Sequence, residues 1–405
     1  MMKVLLLLFV FFGVSLCEVG NISEDDDAAL EKQVKMMSKP PVKTFVTAEG
    51  DTIDCIDIDK QPSLEHPLLK NHKVQKEPTF HVTSPGRNFS RMKAVQFRLR
   101  EPCPVGTVPI PRVTKKDLIR ARATPKIPFS ASSRLDTFQH TNMNTRWLGL
   151  WTICDPLGAT MLINLGDSNT DDIKYGLYGR TSIYNVTVAQ EQFSSHNVWI
   201  QSEPLDHVSM ITVGWMVNPK LYGDSVPRMF TFWTGDGYRD GCYNLLCPGF
   251  VVVDGGAFFN KPLVGSTYGG DQRELAILVQ QDRTTRNWWL LIGFPPATVG
   301  YWPKELLPNL QDGCQITAWG GVALAGSDGI CPPIGSGQKP DGDYRHATYF
   351  RILHRIDVNG TFALPSRNVM ETVDQSNVYG LKNHRYEGSM GYWIGYGGPG
   401  GKCFG

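Results

Sequence analysis

The stretch ITAWGGVAL, residues 316–324, has the composition of a buried strand with a tryptophan and two adjacent glycines at its centre. Glycine weakens a strand because it has no side chain to pack. A glycine pair there marks a bulge or a point where another group approaches the backbone closely. The stretch contains no acid, base or nucleophile. It therefore predicts a strand built for close approach and leaves open what approaches.

Many segments after residue 137 share this strand-like character. They are short, rich in β-branched and aromatic residues, and separated by clusters of Gly, Pro, Asp and Asn. Examples are TSIYNVTV (181–188), HNVWIQ (196–201), MITVGWMV (210–217), RMFTFWT (228–234), GFVVVD (249–254), ELAILVQ (274–280), NWWLLIGF (287–294) and ATYFRILHRIDV (347–358). MITVGWMV is apolar on both faces, as expected deep in a two-layer sandwich. The pattern predicts a β-rich fold with many turns.

Charge and motif content exclude several classes of function. The 405 residues include 40 basic and 39 acidic side chains, with no basic stripe, so nothing indicates a nucleic-acid partner. The nine histidines are scattered, with no H-E-x-x-H motif and no Cys/His quartet at zinc spacing. We therefore predict no metal site and no cofactor.

The N-terminus predicts export. Residues 1–17 combine a lysine, an apolar run and small residues, which is typical of a secretory signal peptide cleaved near Cys17. The alternative, a membrane anchor, needs a longer apolar run, and the mature chain contains no segment able to span a bilayer. Eight further cysteines predict a disulfide framework. The sequons at Asn21, Asn88, Asn185 and Asn359 permit glycosylation.

Residues 18–128 differ from the remainder in composition. EDDDAALEKQVKMM (24–37) is compatible with a helix, and an extended, proline-containing stretch follows it. The segment 112–134 is basic and contains Ser and Pro, so we expect it to be exposed, a domain boundary and a processing site.

Several ordered motifs resemble the neprosin family. TIDCIDIDKQPSLEHPLLKNHKVQ (52–75) and CPVGTVPIPR (103–112) are similar to its propeptide. Its peptidase domain is resembled by FSSHNVWIQ (193–201), ITVGWMVNPKLYGD (211–224), GCYNLLCPGF (241–250), STYGGDQREL (266–275), AWGG (318–321) and GSGQKPDG (335–342). The resemblance implies an all-β fold, an antiparallel two-sheet β-sandwich preceded by a small, partly helical propeptide domain. It places the activation propeptide at 18–128 and the peptidase-fold domain at 129–405.

The family's best-known member is an acid-activated glutamic peptidase that cuts after proline. Its mechanism uses two glutamates, one in an I-E-x-G-W pattern and one directly after W-G-G. The matching positions here are Thr212 and Val322. Neither side chain can act as a general acid or base near neutral or acidic pH. The nearest carboxylates along these segments are Asp206 and Asp312, which are too distant in sequence to replace them.

The resemblance also implies disulfides. It pairs Cys55 with Cys103 and Cys242 with Cys247. Cys403 matches a terminal family cysteine, and we expect its usual partner in the preceding segment to be absent. A changed pairing such as Cys314 with Cys331 is then one option, and Cys154 stays unassigned.

Our leading hypothesis is a secreted neprosin-like protein, in the plant apoplast or cell wall, that has lost peptidase activity. Trp215, Trp233 and Trp319, with Gly320 and Gly321, would line a groove that binds a proline-rich peptide or a cell-wall glycan, alongside the chain's own propeptide. For most of the tryptophans, core or half-buried packing is the favoured interpretation. The rival hypotheses are an acid-dependent, post-proline peptidase that uses a displaced carboxylate, and a structural or storage protein without a specific ligand.

Overall fold

The computed structural model describes residues 24–81, 85, 92–95, 97–126, 160–168, 172–203, 207–257 and 259–403. The predicted signal peptide, Asn21, Asn88 and Cys154 lie outside these ranges. The helices are α1 (Glu24–Met37), α2 (Lys115–Ala123) and α3 (Pro219–Tyr222). Short 3-10 helices occur at Ile58–Lys60, Pro62–Glu65, Pro67–Leu69, Lys304–Leu306, Pro308–Leu310 and Gly388–Met390.

Strands make up most of the ordered structure. In chain order they are β1 (Lys43–Val46), β2 (Thr52–Asp57), β3 (Met92–Ala94), β4 (Thr107–Pro111), β5 (Thr160–Asp167), β6 (Gly176–Ser182), β7 (Phe193–Gln201), β8 (Met210–Val217), β9 (Arg228–Thr234), β10 (Cys242–Tyr243), β11 (Val251–Val252), β12 (Gln272–Gln281), β13 (Trp288–Ile292), β14 (Ala297–Trp302), β15 (Ile316–Leu324), β16 (Ile330–Cys331), β17 (Thr348–Ile356), β18 (Phe362–Ala363), β19 (Met370–Val373), β20 (Gly380–Glu387), β21 (Gly391–Gly397) and β22 (Gly401–Lys402).

Two large sheets form the body of the protein. The seven-stranded sheet has the order β10–β9–β8–β7–β15–β5–β19, and every neighbouring pair is antiparallel. The ten-stranded sheet has the order β11–β14–β13–β12–β6–β17–β21–β20, with β18 beside β17 and β3 beside β12. Their inner faces share one apolar core. The predicted all-β, antiparallel two-sheet sandwich is confirmed.

The strand β8 shows why its sequence is apolar on both faces. Ile211, Val213 and Trp215 belong to the core between the sheets, whereas Met210 and Met216 belong to a second buried cluster on the other side. Successive side chains of a strand point to opposite faces, so the alternation assigns each residue to one layer. The seven-stranded sheet is therefore buried on both faces along this strand.

One predicted strand is shorter than expected. The segment 181–188 was predicted as a strand, but β6 ends at Ser182. Beyond it, Ile183 donates to the Arg273 carbonyl and accepts from the Ser266 backbone nitrogen, so the chain leaves the regular ladder there. The β-branched composition of the segment did not indicate that the strand ends at Ser182.

The N-terminal region forms a small sheet of β1, β2 and β4, which carries the Cys55–Cys103 disulfide. The helix α2 begins with a capping box in which Thr114 and Asp117 bond each other's backbone nitrogens. Leu118 of this helix is 1% exposed and packs with Leu30 of α1. The expectation that the whole segment 112–134 is exposed is therefore wrong, because its first half is a docked helix.

The N-terminal region is joined to the sandwich by specific polar contacts. The buried amide of Gln61 donates to the Val252 carbonyl (3.0 Å) and accepts from the Val252 nitrogen (2.8 Å). This pair of bonds completes the hydrogen bonding of the edge strand β11. Asp282 accepts from Gln75 Nε2, Thr79 N and Thr79 Oγ1. These donors hold the pKa of Asp282 below its usual value against the opposing effect of burial.

Candidate functional site

Thr212 and Val322 lie on the outer face of the seven-stranded sheet, which we call the seven-strand face. In register, Thr212 is opposite Trp199 of β7, and Val322 is opposite Ser195 of the same strand. Asn197 lies between those two partners on the same face, so it is the diagonal neighbour of both family positions. Diagonal neighbours are about 7–8 Å apart. The two family positions therefore flank one central amide.

A glycine lies on each side of Asn197 in the row of residues that runs across the seven-stranded sheet. Gly214, Asn197, Gly320 and Asn164 are directly opposite one another on four neighbouring strands. A β-carbon at Gly214 would overlap the His196 carbonyl oxygen, and one at Gly320 would overlap the Ile163 carbonyl oxygen. Neither position can carry a side chain without a backbone shift. Asn197 consequently has a residue without a side chain on each side, whereas Asn164 has Gly320 on one side and Thr372 of β19 on the other.

Polar atoms on the seven-strand face lack partners. Within the part of the chain that the structure describes, Asn164 Oδ1 and Thr212 Oγ1 are buried and make no hydrogen bond. Ser195 Oγ lies 2.9 Å from the Val322 carbonyl oxygen and 3.1 Å from Asn197 Oδ1. A hydroxyl has one proton to donate, so either orientation of the Asn197 amide leaves one of its terminal atoms unpaired. Buried polar groups of this kind are normally satisfied, which makes the cluster a candidate binding site.

A relay of hydrogen bonds fixes the Gly-Gly pair from the inner side. The Gly335 nitrogen donates to His196 Nε2 (3.1 Å), so the proton of the neutral imidazole resides on Nδ1 and is donated to the Tyr396 hydroxyl (3.0 Å). Tyr396 donates in turn to the Gly320 carbonyl (3.1 Å). Burial lowers the pKa of His196 to about 3, which keeps the ring neutral.

Gly321 completes this arrangement, because a β-carbon there would lie 3.0 Å from the Tyr396 ring and 3.0 Å from the Ser195 carbonyl oxygen. The close approach predicted for ITAWGGVAL thus has two causes. Asn164 and its backbone crowd Gly320, and Tyr396 crowds Gly321.

The three tryptophans that were predicted to line a groove do not lie on this face. Trp215 and Trp319 are fully buried between the sheets, where their indole nitrogens donate to the Ser182 and Tyr178 carbonyls of the opposite sheet. Trp233 is 2% exposed, belongs to the same core, and has the His66 ring of the N-terminal region 5.9 Å away. The proposed aromatic groove wall is wrong for Trp215 and Trp319, because odd-numbered side chains of β8 and β15 point inward. The core alternative describes them.

Of the two carboxylates considered from the sequence, only Asp312 lies among the described residues. Asp312 is exposed and forms an ion pair with Arg286. Asp206 lies outside the described residues.

Two other carboxylates reach the margins of the seven-strand face. Asp374 accepts from the Leu162 nitrogen (2.9 Å), and Leu162 is the register partner of Val322. Asp240 accepts from Thr234 Oγ1 (3.0 Å), at the far end of β9. Sheet spacings put these two anchor points roughly 25–30 Å apart. They cannot act together on one water molecule.

The N-terminal region covers part of the seven-strand face. Ala121 of α2 packs against its apolar cluster, and the Tyr243 hydroxyl donates to the Pro125 carbonyl (2.8 Å). Lys126 Nζ donates to the Tyr238 carbonyl (3.1 Å). Between these contacts, Leu246 packs with both helices of the N-terminal region. The loop that carries Leu246 is closed by the Cys242–Cys247 disulfide.

Cysteine pairing differs in one respect from the expectation. Cys331 is bonded to Cys403, so a bond between Cys314 and Cys331 is wrong, and Cys403 does have a partner. The antiparallel pairing of β16 with β22 places them together, and strands of only two residues give no clear sequence signal. Cys314 carries a free thiol whose pKa burial raises to about 12.

The remaining predictions concern glycosylation, metal binding and membrane-spanning segments. Asn185 and Asn359 are exposed, so their glycosylation stays a prediction. No group of three or more metal-ligating side chains occurs among the described residues. In that same part of the chain, no helix is long and apolar enough to cross a membrane.

The protein is a two-sheet antiparallel β-sandwich whose N-terminal region packs against both sheets. The Neprosin family model matches residues 190–399, and the Neprosin activation peptide model matches residues 44–146. The chain belongs to the Neprosin family.

Solved structures provide more distant matches. A crystal structure of scytalido-glutamic peptidase with a peptide-based transition-state analogue is 8% identical, with a TM-score of 0.32 over 59% of this chain and 97% of that chain. A second structure of scytalido-glutamic peptidase, with a transition-state analogue inhibitor, is 9% identical, with a TM-score of 0.33 over the same shares.

Proposed function

We propose that this protein is a secreted member of the Neprosin family that binds an extended peptide or a glycan on its seven-strand face without cleaving it. The observation that carries the proposal is the chemistry at the two family positions. Thr212 and Val322 flank Asn197 on one sheet face, and neither offers a group that titrates in the acidic range. A glutamic peptidase needs two such groups within hydrogen-bond reach of one water.

The remaining polar atoms favour recognition. Thr212, Asn164 and one terminal amide atom of Asn197 present unpaired hydrogen-bonding groups beside two glycines. A neutral ligand that alternates donors and acceptors, such as a polypeptide backbone or a row of sugar hydroxyls, would satisfy them. Because the face carries no charge at its centre, ionic ligands gain nothing there.

Export and processing belong to the same proposal. We propose a signal peptide at 1–17, an activation propeptide at 18–128 and the binding domain at 129–405, with an extracellular location in the apoplast or cell wall. The disulfides suit an oxidising compartment. The chain's own propeptide is the first partner of the seven-strand face, because helix α2 of the propeptide covers part of that face.

The alternative is an acid-dependent peptidase that uses a displaced carboxylate. Asp374 is its best candidate, because it is bonded to the register partner of Val322. A single carboxylate lacks the second group of the pair. Asn197 could polarise a carbonyl but could not transfer a proton.

Catalysis is tested with the full secreted chain, acidified and offered a proline-containing peptide, with product detected by mass spectrometry. We expect no cleavage above a heat-inactivated control. Cleavage that disappears in Asp374→Asn would establish the displaced-carboxylate mechanism and end the non-catalytic proposal. Cleavage that persists in Asp374→Asn would also end it and would point to another group.

Restoring both family carboxylates tests whether the rest of the site is intact. The double variant Thr212→Glu with Val322→Glu should cleave about 10²-fold faster than either single variant, because each general acid–base group contributes that much. The single variants are matched controls, because each of them adds only one of the two carboxylates. Silence of the double variant would show that the face has diverged beyond the two positions.

Binding is tested on peptide and glycan arrays with the full chain at neutral and acidic pH. A ligand that requires the seven-strand face should lose affinity for Asn197→Leu, which removes the central amide while keeping an apolar side chain of similar volume. Asn383→Leu, on the edge strand β20, is the control. An array without hits would leave the structural or storage protein as the better description.

A further inference from the structure

Asp167 and Lys174 are an aspartate and a lysine with fully buried side chains at the junction of the two large sheets. Asp167 is the last residue of β5, and its side chain points inward like those of Ile163 and Leu165. Lys174 lies just before β6, where its backbone forms a bridge with Cys314. Both side chains are 0% exposed, and Lys174 Nζ lies 3.6 Å from Asp167 Oδ1. An amine and a carboxyl group are therefore neighbours away from water.

The pair lacks the hydrogen bond of an ordinary ion pair. A hydrogen-bonded ammonium and carboxylate are about 2.7–2.9 Å apart. Here Lys174 Nζ donates to the Gln315 carbonyl (2.8 Å), and Asp167 Oδ1 forms no hydrogen bond within the described part of the chain. Burial lowers the pKa of Lys174, against the opposing effect of the Asp167 charge. The amine is therefore closer to its neutral, nucleophilic form than an exposed lysine would be.

The second oxygen of Asp167 has a different environment. The Ser366 nitrogen donates to Oδ2 (2.8 Å), and Arg355 Nε lies 3.9 Å from the same atom. Positive groups directed at one oxygen stabilise the negative charge that develops there when a nucleophile attacks the carboxyl carbon. Oδ2 can therefore carry that charge, while Oδ1, which is the oxygen near the amine, can leave. Holding the two reacting groups together in this way removes most of the entropic cost of their reaction.

We propose that Lys174 and Asp167 form an isopeptide bond, an amide between their side chains, in the folded protein. The Lys174 ammonium first transfers one proton to Oδ1, which leaves a neutral amine and a neutral carboxyl group. Nζ then attacks Cγ, so the N–C bond forms and negative charge appears on Oδ2. The nitrogen gives a second proton to Oδ1, the Cγ–Oδ1 bond breaks, and one water molecule leaves. No oxidant, reductant or other co-reactant takes part.

The bond connects the two sheets covalently. Asp167 belongs to a strand of the seven-stranded sheet, and Lys174 leads into β6 of the ten-stranded sheet. The reaction also removes two buried charges, whose desolvation is costly. Unlike the three disulfides, the amide withstands reduction. The bond is independent of the ligand proposed for the seven-strand face.

The test is peptide mapping of the full chain by mass spectrometry after denaturation, reduction, alkylation and digestion with trypsin. Trypsin does not cleave after a lysine whose side-chain amine is acylated. The wild type should therefore yield peptide 147–180, lighter by one water molecule than its sequence requires. Fragment ions should place the link between Asp167 and Lys174. Release of unmodified peptides 147–174 and 175–180 from the wild type overturns the proposal.

Three variants separate the isopeptide bond from other losses of water. Lys174→Met and Asp167→Ala each remove one reacting group and should abolish the loss. Asp172→Asn is the matched control, because it removes a carboxylate that also acts on Lys174 but should leave the link in place. A loss of water that persists in Lys174→Met, or that accompanies normal cleavage after Lys174 in the wild type, indicates a cyclic imide at an aspartate and overturns the proposal. Since the wild-type map is decisive alone, a variant that does not fold leaves the test intact.

Discussion

The two outer faces of the sandwich are both covered by the N-terminal region, yet their chemistry is opposite. Ala121 packs on the seven-strand face, whereas Val74 and Phe80 pack on the outer face of the ten-stranded sheet, the ten-strand face. The seven-strand face presents neutral amides and a hydroxyl around Asn197. The ten-strand face contains a buried charged cluster, in which Arg351 donates to Glu274 and Arg180 lies opposite Arg351.

This difference separates buried neutral groups without hydrogen-bond partners from buried charged groups without counter-ions. An unpaired neutral group costs about 1–3 kcal/mol when buried, so a sheet can carry a few of them for recognition. An unpaired charge costs several times more, so it requires a counter-ion or a network. We therefore expect ligand selectivity on the seven-strand face and a strong effect of charge balance on the ten-strand face.

The largest effect should come from breaking the ionic network. Glu274→Gln removes the carboxylate that accepts from Arg351 Nε and Nη2, and it should destabilise the protein by about 3–5 kcal/mol. Denaturant unfolding at neutral pH measures this. The control is Glu371→Gln, an exposed glutamate on β19 that bonds Asn383 and should change stability little.

The same variant sharpens the contrast between the faces. A loss of less than about 1 kcal/mol would show that the ten-strand face is solvated well enough to behave like a surface.

A smaller loss is expected from filling the glycine row of the seven-strand face. Gly320→Ala would push a methyl group into the Ile163 carbonyl and should cost about 1–3 kcal/mol through strain. Gly166→Ala, on β5, is the matched control, since its new methyl group would meet its nearest atom, Asn164 Nδ2, at an ordinary 3.6 Å. Equal unfolding free energies for the two variants would contradict the account of the row.

Sequence patterns predicted the fold better than the site. The β-rich composition and the neprosin resemblance gave the two-sheet sandwich and the N-terminal region, because strand periodicity survives as a local signal. The resemblance also located Thr212 and Val322. It could not reveal that Asn197 lies between them, since that depends on the register of three strands.

The wrong prediction for the tryptophans and the failure to single out the buried charged residues have a common cause. Trp215 and Trp319 carry the bulk expected of a groove, but their parity on β8 and β15 turns them inward, and parity requires the true strand register. Arg180 and Glu274 are ordinary charged residues in the sequence. Only the fold shows that Glu274 accepts from Arg351, whereas Arg180 donates to the Tyr178 hydroxyl.

The smallest effect should come from removing the unpaired hydroxyl of Thr212. Thr212→Val keeps the shape and deletes a buried oxygen without a partner, so it should stabilise the protein by about 1 kcal/mol or less. Thr234→Val is the control on the adjacent strand, because its hydroxyl donates to Asp240 and accepts from the Tyr238 nitrogen. Its loss should be destabilising by about 1–2 kcal/mol, so the two chemically identical changes should have opposite signs.

The sign for Thr212→Val also bears on function. A group retained for ligand binding is expected to cost stability, so the stabilised variant should bind its array ligand more weakly than the wild type. Measuring unfolding and binding on the same preparation decides the matter. If the variant is less stable than the wild type, or binds the ligand equally well, the Thr212 hydroxyl contributes to the stability of the fold and not to binding. Recognition on the seven-strand face would then depend on Asn197 and Asn164.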